Sequence, residues 1–146
     1  MNKSIHILIP IRPVPMSTKI IRMANGRPKV MKSTKSLVWQ NQAKPFINKA
    51  FAGKDIIDEP VGIEIFYYFA PPKSWPKEKK RLALAGKIRP TSKTTQGDVD
   101  NLTKGFLDSL VAGGHLKDDS LVVSLFAAKY YAPEERTEAK VVGEES

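Results

Sequence analysis

Four carboxylates and a lysine, Asp98, Asp100, Lys104, Asp118 and Asp119, form an acidic island in an otherwise basic chain. The 146 residues carry 24 Lys and Arg against 15 Asp and Glu, and no acidic residue precedes Asp55. Clustered carboxylates in positive surroundings suit an enzyme that holds a hard divalent cation and acts on a polyanion. Asp98 and Asp100 point to one side in extended backbone, but within a helix they diverge by about 200°. Convergence therefore requires Asp98 to lie before a helix and Asp100 near its cap. Ordinary capping competes as an explanation, since Asp is a favoured N-cap and interacts well with the helix dipole; it accounts for one aspartate and not for the second. Asp100, Lys104 and Asp108 recur every fourth residue on one face. As plain surface pairs they would be worth about 0.2–0.5 kcal/mol each. The alternative aims Lys104 at a phosphate, with Asp108 orienting it. Asp118-Asp119 follows the Gly113-Gly114 turn and reads either as exposed turn residues or, if the chain folds back, as a further ligand near the helix start.

Oxygen ligands from such a set suit Mg²⁺, with Mn²⁺ as a substitute. The chain has no cysteine and only two histidines, His6 and His115, which excludes thiolate sites and argues against zinc. An EF-hand is rejected because its glycine and terminal glutamate are missing. No P-loop, dinucleotide fingerprint or nucleophile elbow occurs, so no organic cofactor is expected.

The elements that must position these residues follow from pattern. Ser4 to Ile9 alternates as a strand and stops at Pro10. Pro10, Pro13 and Pro15 make a stiff connection to a basic hairpin over about 19–32, whose Asn25-Gly26 suggests a type I′ turn. A helix capped by Ser33 or Thr34 should run to about Phe51 and end at Gly53, kinked or split by Pro45. Val61 to Phe69 is apolar on both faces and reads as a central strand. A short basic helix from Trp75 to Ala85, capped by Ser74, leads into an aperiodic loop, Arg89 to Gly97, within a basic stretch over about 71–97. Leu102 to Val111 is the second firm helix, with Leu102, Phe106 and Leu110 as its buried stripe. Leu121 to Tyr131 reads as a long strand, and Thr137 to Val142 as its hairpin partner. The last four residues are expected to fray.

Charge is distributed unevenly. Residues 1–54 hold eleven Lys and Arg and no acid, and residues 71–93 hold eight against Glu78 alone. That asymmetry favours nucleic acid as partner. Arg22, Arg27, Lys29 and Lys32 on the hairpin are candidate backbone contacts, with edge-strand protection as the alternative. Ile5 to Ile9 is too short for a signal peptide and nothing resembles a membrane span, so a cytoplasmic location is expected.

Asp98-Val99-Asp100-Asn101-Leu102-x-Lys104, then Asp108, then Asp118-Asp119, resembles the signature of the RusA-type Holliday-junction resolvases, with the strong match over Asp98 to Val123. The resemblance implies a small homodimeric, Mg²⁺-dependent endonuclease acting on branched DNA. It further implies Asp98, Asp100 and Asp119 as metal-holding catalytic carboxylates, within a catalytic segment over 98–119, and Lys104 as the catalytic lysine. One departure stands out: Gln96-Gly97 replaces the basic residues usual before the first aspartate, leaving Arg89 and Lys93 as substitute phosphate contacts. The expected architecture is one α+β domain over 1–146, a mixed β-sheet flanked by helices, assembled as a homodimer in which an apolar face of Val61–Phe69 or Leu121–Tyr131 contributes to the interface. Two rivals are a nuclease of broader branched-DNA or RNA choice and a DNA-binding module without catalysis.

Overall fold

Alternating apolar residues need two layers to bury them, and the chain supplies a sheet and helices that cover one of its faces. The computed structural model describes residues 4–143. In chain order the elements are β1 (Ser4–Ile9), β2 (Thr18–Arg22), β3 (Pro28–Lys32), α1 (Thr34–Ala50), β4 (Val61–Phe69), α2 (Lys77–Leu84), α3 (Val99–Ala112), β5 (Val122–Tyr131) and β6 (Arg136–Gly143). A single 3-10 turn, Asp119–Leu121, precedes β5. The four-stranded sheet has the order β1-β6-β4-β5; β6 runs antiparallel to both neighbours and β5 parallel to β4. The fold is therefore α+β with a mixed sheet and three helices.

β4 is central, as its two apolar faces require. Ile63, Ile65, Tyr67 and Phe69 project into the core with Ile5, Ile7 and Ile9 of β1 and Ala139 and Val141 of β6. Trp39, Ala43 and Ile47 of α1 and Leu102, Phe106 and Leu110 of α3 close the other side of that core. Phe106 is fully buried, so truncation to Ala would cost about 3–5 kcal/mol.

Several expectations are corrected. β6 is not the hairpin partner of β5: β4 lies between them. The Ala132 N–H donates to Phe69 O at 2.9 Å, and Ala132 to Glu135 carry the chain across the end of β4. Two strand spacings are about 10 Å, within reach of a four-residue link, and alternation in β6 fits either neighbour equally well. The β2–β3 turn is not type I′, because Gly26 has φ 80° while no described non-glycine residue has positive φ. Its loop is three residues, closed by Met23 N–H to Arg27 O at 2.9 Å and Gly26 N–H to Met23 O at 2.8 Å. α1 is not split; it runs unbroken through Pro45, capped by the Ser33 hydroxyl. α2 starts at Lys77 after Pro76, so Ser74 does not cap it. Of the four terminal residues expected to fray, 144–146 lie outside the described range.

The sheet face away from α1 and α3 carries Phe66, Tyr68, Phe126 and Tyr130, with Phe66 5.8 Å from Phe126 and Tyr68 6.1 Å from Tyr130 between ring centres. Among the described residues, no helix is long and apolar enough to cross a membrane.

Candidate active site

α3 begins three residues earlier than periodicity suggests, because Val99, Asp100 and Asn101 already have helical conformation. Asp98 is its N-cap residue, extended at φ −80° and ψ 149°, yet its side chain makes no capping hydrogen bond. Asp98 thus sits before the helix and Asp100 in its first turn, the arrangement that convergence demanded. The capping explanation for Asp98 is not used by the molecule.

The approach to Asp98 is tightly built. Gly97 has φ +84°, and a Cβ there would lie 2.5 Å from Pro15 Cβ, so the position demands glycine twice over. Lys129 of β5 donates its Nζ to Gly97 O at 2.8 Å. Gln96 is buried and accepts the Ser92 N–H at 2.8 Å through Oε1. Arg12 donates to Thr95 O at 2.8 Å. The stretch read as aperiodic loop is therefore a hydrogen-bonded turn, and Gln96-Gly97 is structural. On the other side, Met16 N–H donates to Asn101 O at 3.0 Å. From beneath, the Tyr67 hydroxyl bonds Thr103 Oγ1 at 2.9 Å in a buried contact. Burial pushes the Tyr67 phenol well above its ordinary pKa, with the Thr103 bond opposing, so it remains a neutral hydroxyl.

Asp100, Lys104 and Asp119 line one cleft of about 400 Å³, together with Val99, Thr103, Leu107 and Leu125. Asp98 is outside that lining. Among the described residues, no three His, Cys, Asp or Glu side chains gather closely enough to hold a metal ion. The carboxylate group expected from sequence is thus a pair in the cleft with a third member two residues upstream. The donor chemistry still fits a hard cation, because Mg²⁺ takes one or two carboxylates and fills its other positions with water and substrate phosphate. Asp118 and Asp119 divide their roles. Asp118 caps the 3-10 turn, accepting Ser120 N–H at 2.8 Å. That bond, with the Ser120 hydroxyl and neighbouring Asp119, holds the Asp118 carboxyl below its ordinary pKa.

Asp108 does not orient Lys104. It pairs with Lys32 at 3.7 Å, and Lys32 also donates to Gln40 Oε1 at 3.2 Å. Lys32 is therefore engaged by α1 and α3 rather than presented with the other hairpin cations. Arg22, Arg27 and Lys29 are exposed, as is Lys93. Arg89 donates its Nε to Lys129 O at 2.7 Å and lies 3.7 Å over the Tyr130 ring, so it is partly committed to the sheet. Sequence reading missed Tyr67, Thr103, Gln96 and Lys129; only the glycine before Asp98 carried a visible hint.

A family model described as endodeoxyribonuclease RusA matches residues 10–142. An uncharacterized protein of Bacillus subtilis (strain 168), YqaN, is 43% identical over 90 residues, covering 59% of this chain and 59% of that protein. The chain thus matches less than two thirds of that relative's length. With nearly its whole described length inside the match, this chain belongs to the RusA endodeoxyribonuclease family.

Proposed function

We propose that the protein is a divalent-metal-dependent endodeoxyribonuclease that resolves four-way DNA junctions by paired nicks, working as a homodimer in the cytoplasm. The observation that carries this reading is the shared cleft of Asp100, Lys104 and Asp119. The side chains of Asp98, Asp100 and Lys104 have no hydrogen-bond or ion-pair partner among the described residues, which leaves their charged atoms available to a ligand. A pure DNA binder gains nothing from carboxylates beside its basic surface, which disfavours the non-catalytic rival.

In this reading Asp100 and Asp119 hold Mg²⁺ or Mn²⁺, with Asp98 as the third carboxylate. The bound ion would supply Lewis-acid stabilisation of a phosphate oxygen and an activated water. Lys104, one turn along α3 from Asp100, sets a fixed positive charge against the phosphate as negative charge develops on it. Val99, Leu107 and Leu125 line the cleft with apolar surface beside the exposed Asp100, Lys104 and Asp119 side chains. Arg22, Arg27 and Lys29 hold the DNA backbone, with Arg89 and Lys93 contributing near the α3 end. Cleavage of a labelled four-way junction should require Mg²⁺ or Mn²⁺ and stop in excess chelator. Undiminished cleavage in chelator would remove the metal from the account, and equal cutting of matched linear duplex or RNA would favour the broader nuclease.

A further inference from the structure

β2 and β3 form a two-stranded sheet of their own, separate from the four-stranded one. Ile20 is directly opposite Val30 in register, between the Arg22–Pro28 and Thr18–Lys32 pairs on the same face. Ile20 is 73% exposed and Val30 64%. Together they make an apolar ridge standing in water. Arg22 shares that face, Arg27 sits in the adjoining turn, and Lys19 and Lys29 project from the opposite face of the same hairpin; all four are exposed, and no acidic residue occurs anywhere in residues 17–33. A hairpin charged only to guard an edge has no need of two branched aliphatic residues at positions this exposed.

The ridge is rigidly related to the cleft. Met16, just before β2, bonds Asn101 O in the first turn of α3 and packs against Gly105. At the far end of β3, Lys32 bridges to Gln40 of α1 and Asp108 of α3. The Ser17 hydroxyl, between them, bonds that of Ser33. Both strands of the hairpin are thereby anchored to the helix that carries Asp100 and Lys104.

We propose that the Ile20–Val30 ridge is a wedge that enters between bases at the branch point of DNA, while the exposed cations of the hairpin, Arg22 and Arg27 nearest the ridge, hold neighbouring phosphates. This rests on the branched-DNA reading above and adds a source of selectivity to it. Apolar side chains inserted between base steps must unstack them, and the cost is smallest where stacking is already interrupted. A continuous duplex resists such insertion and a branch point admits it. Charge favours DNA over a second copy of the chain as the occupant, since the hairpin that carries the ridge has cations and no acidic residue, and the chain itself has a net charge of +9.

The test uses a four-way junction with 2-aminopurine at the branch point, and protein carrying Asp100→Asn so that no strand is cut. Saturating binding should raise the fluorescence several-fold. Adding Ile20→Ser and Val30→Ser should remove most of that rise while affinity falls by less than about tenfold, because the phosphate contacts remain. Ile20→Leu with Val30→Leu should restore the rise. With Asp100 intact, the Ser pair should also lower the ratio of junction to duplex cleavage. Both residues are exposed, and an unchanged circular dichroism spectrum checks the fold. A full fluorescence rise in the Ser pair would overturn the wedge. So would loss of dimer in light scattering with fluorescence unchanged, which would assign the ridge to a second copy. A protein that binds and cuts junctions without any fluorescence rise would overturn the wedge alone; one that binds no junction would overturn the DNA reading as well.

Discussion

A carboxylate that caps a turn has its oxygens committed, and one that faces a cleft leaves them available. Asp118 and Asp119 are adjacent and their carboxyl groups interact, yet Asp118 is the one bonded to Ser120 N–H and Asp119 the one that lines the cleft with Asp100 and Lys104. Asp100→Asn and Asp119→Asn should therefore each lower kcat by at least about 10²-fold while junction affinity holds or tightens, since a negative charge near the phosphates is removed. Asp118→Asn should leave most activity in place, and steady-state cleavage with binding titrations distinguishes the three. Lys104→Met should cost about 10²–10³ in kcat, the scale of losing one fixed group that stabilises developing charge. His115 gives a separate test of packing. It stacks on Phe51 at 4.6 Å between ring centres and meets Asn48 Oδ1 at 2.8 Å. Burial lowers its pKa below the ordinary 6.5. The unfolded chain therefore takes up the proton first: stability is full above the unfolded value and is lost as pH falls through the depressed folded value. Thermal midpoints measured from about pH 7 down to about pH 5 should fall, and His115→Phe should flatten that part of the slope.

At the scale of elements, the α3 N-terminus depends on backbone that only glycine provides. Gly97→Ala places a Cβ 2.5 Å from Pro15 Cβ at φ +84°, which should cost about 1–3 kcal/mol in strain and displace Asp98. Thermal unfolding and cleavage should both suffer, and a variant with wild-type behaviour in both would show that the turn relaxes freely. Tyr67→Phe leaves the buried Thr103 hydroxyl without its partner and should destabilise by about 1–3 kcal/mol, read by denaturant unfolding. Legibility in the sequence followed the physics of each element. β1, β4, α1 and the later part of α3 were visible because each sets a whole apolar face against the core. The first turn of α3 was not, because Asp98 to Asn101 is polar and carries no period. The position of β6 was not legible either, because alternation fixes which face a strand buries and not which strand it pairs with. Of the candidate site, the residue types and their spacing were readable. The division between Asp118 and Asp119, the diversion of Asp108 to Lys32 and the support from Tyr67, Gln96 and Lys129 depend on contacts distant in sequence.

For the whole molecule, the expectation that an apolar strand face serves a dimer narrows to what the fold leaves uncovered. The core face of β4 is fully used, whereas β5 is an edge strand with Val123, Leu125 and Phe126 each at least half exposed. A long apolar edge invites pairing with another chain. A two-fold dimer would also match the symmetry of a four-way junction. Light scattering should give about twice 16.3 kDa, and Val123→Glu with Phe126→Glu should yield monomer; an unaffected dimer would move the interface elsewhere. Wild-type subunits mixed with Asp100→Asn subunits should give heterodimers that nick one strand and fail to resolve. The central claim, that Asp100 and its cleft partners make a junction-selective nuclease, is tested most directly by strand-by-strand mapping of nicks in an end-labelled four-way junction beside its matched linear duplex. Wild-type protein with Mg²⁺ is expected to give paired nicks at symmetric positions in the junction and little cutting of the duplex, with both absent for Asp100→Asn. Cleavage by Asp100→Asn at the wild-type rate, or equal cutting of junction and duplex by the wild type, would contradict it.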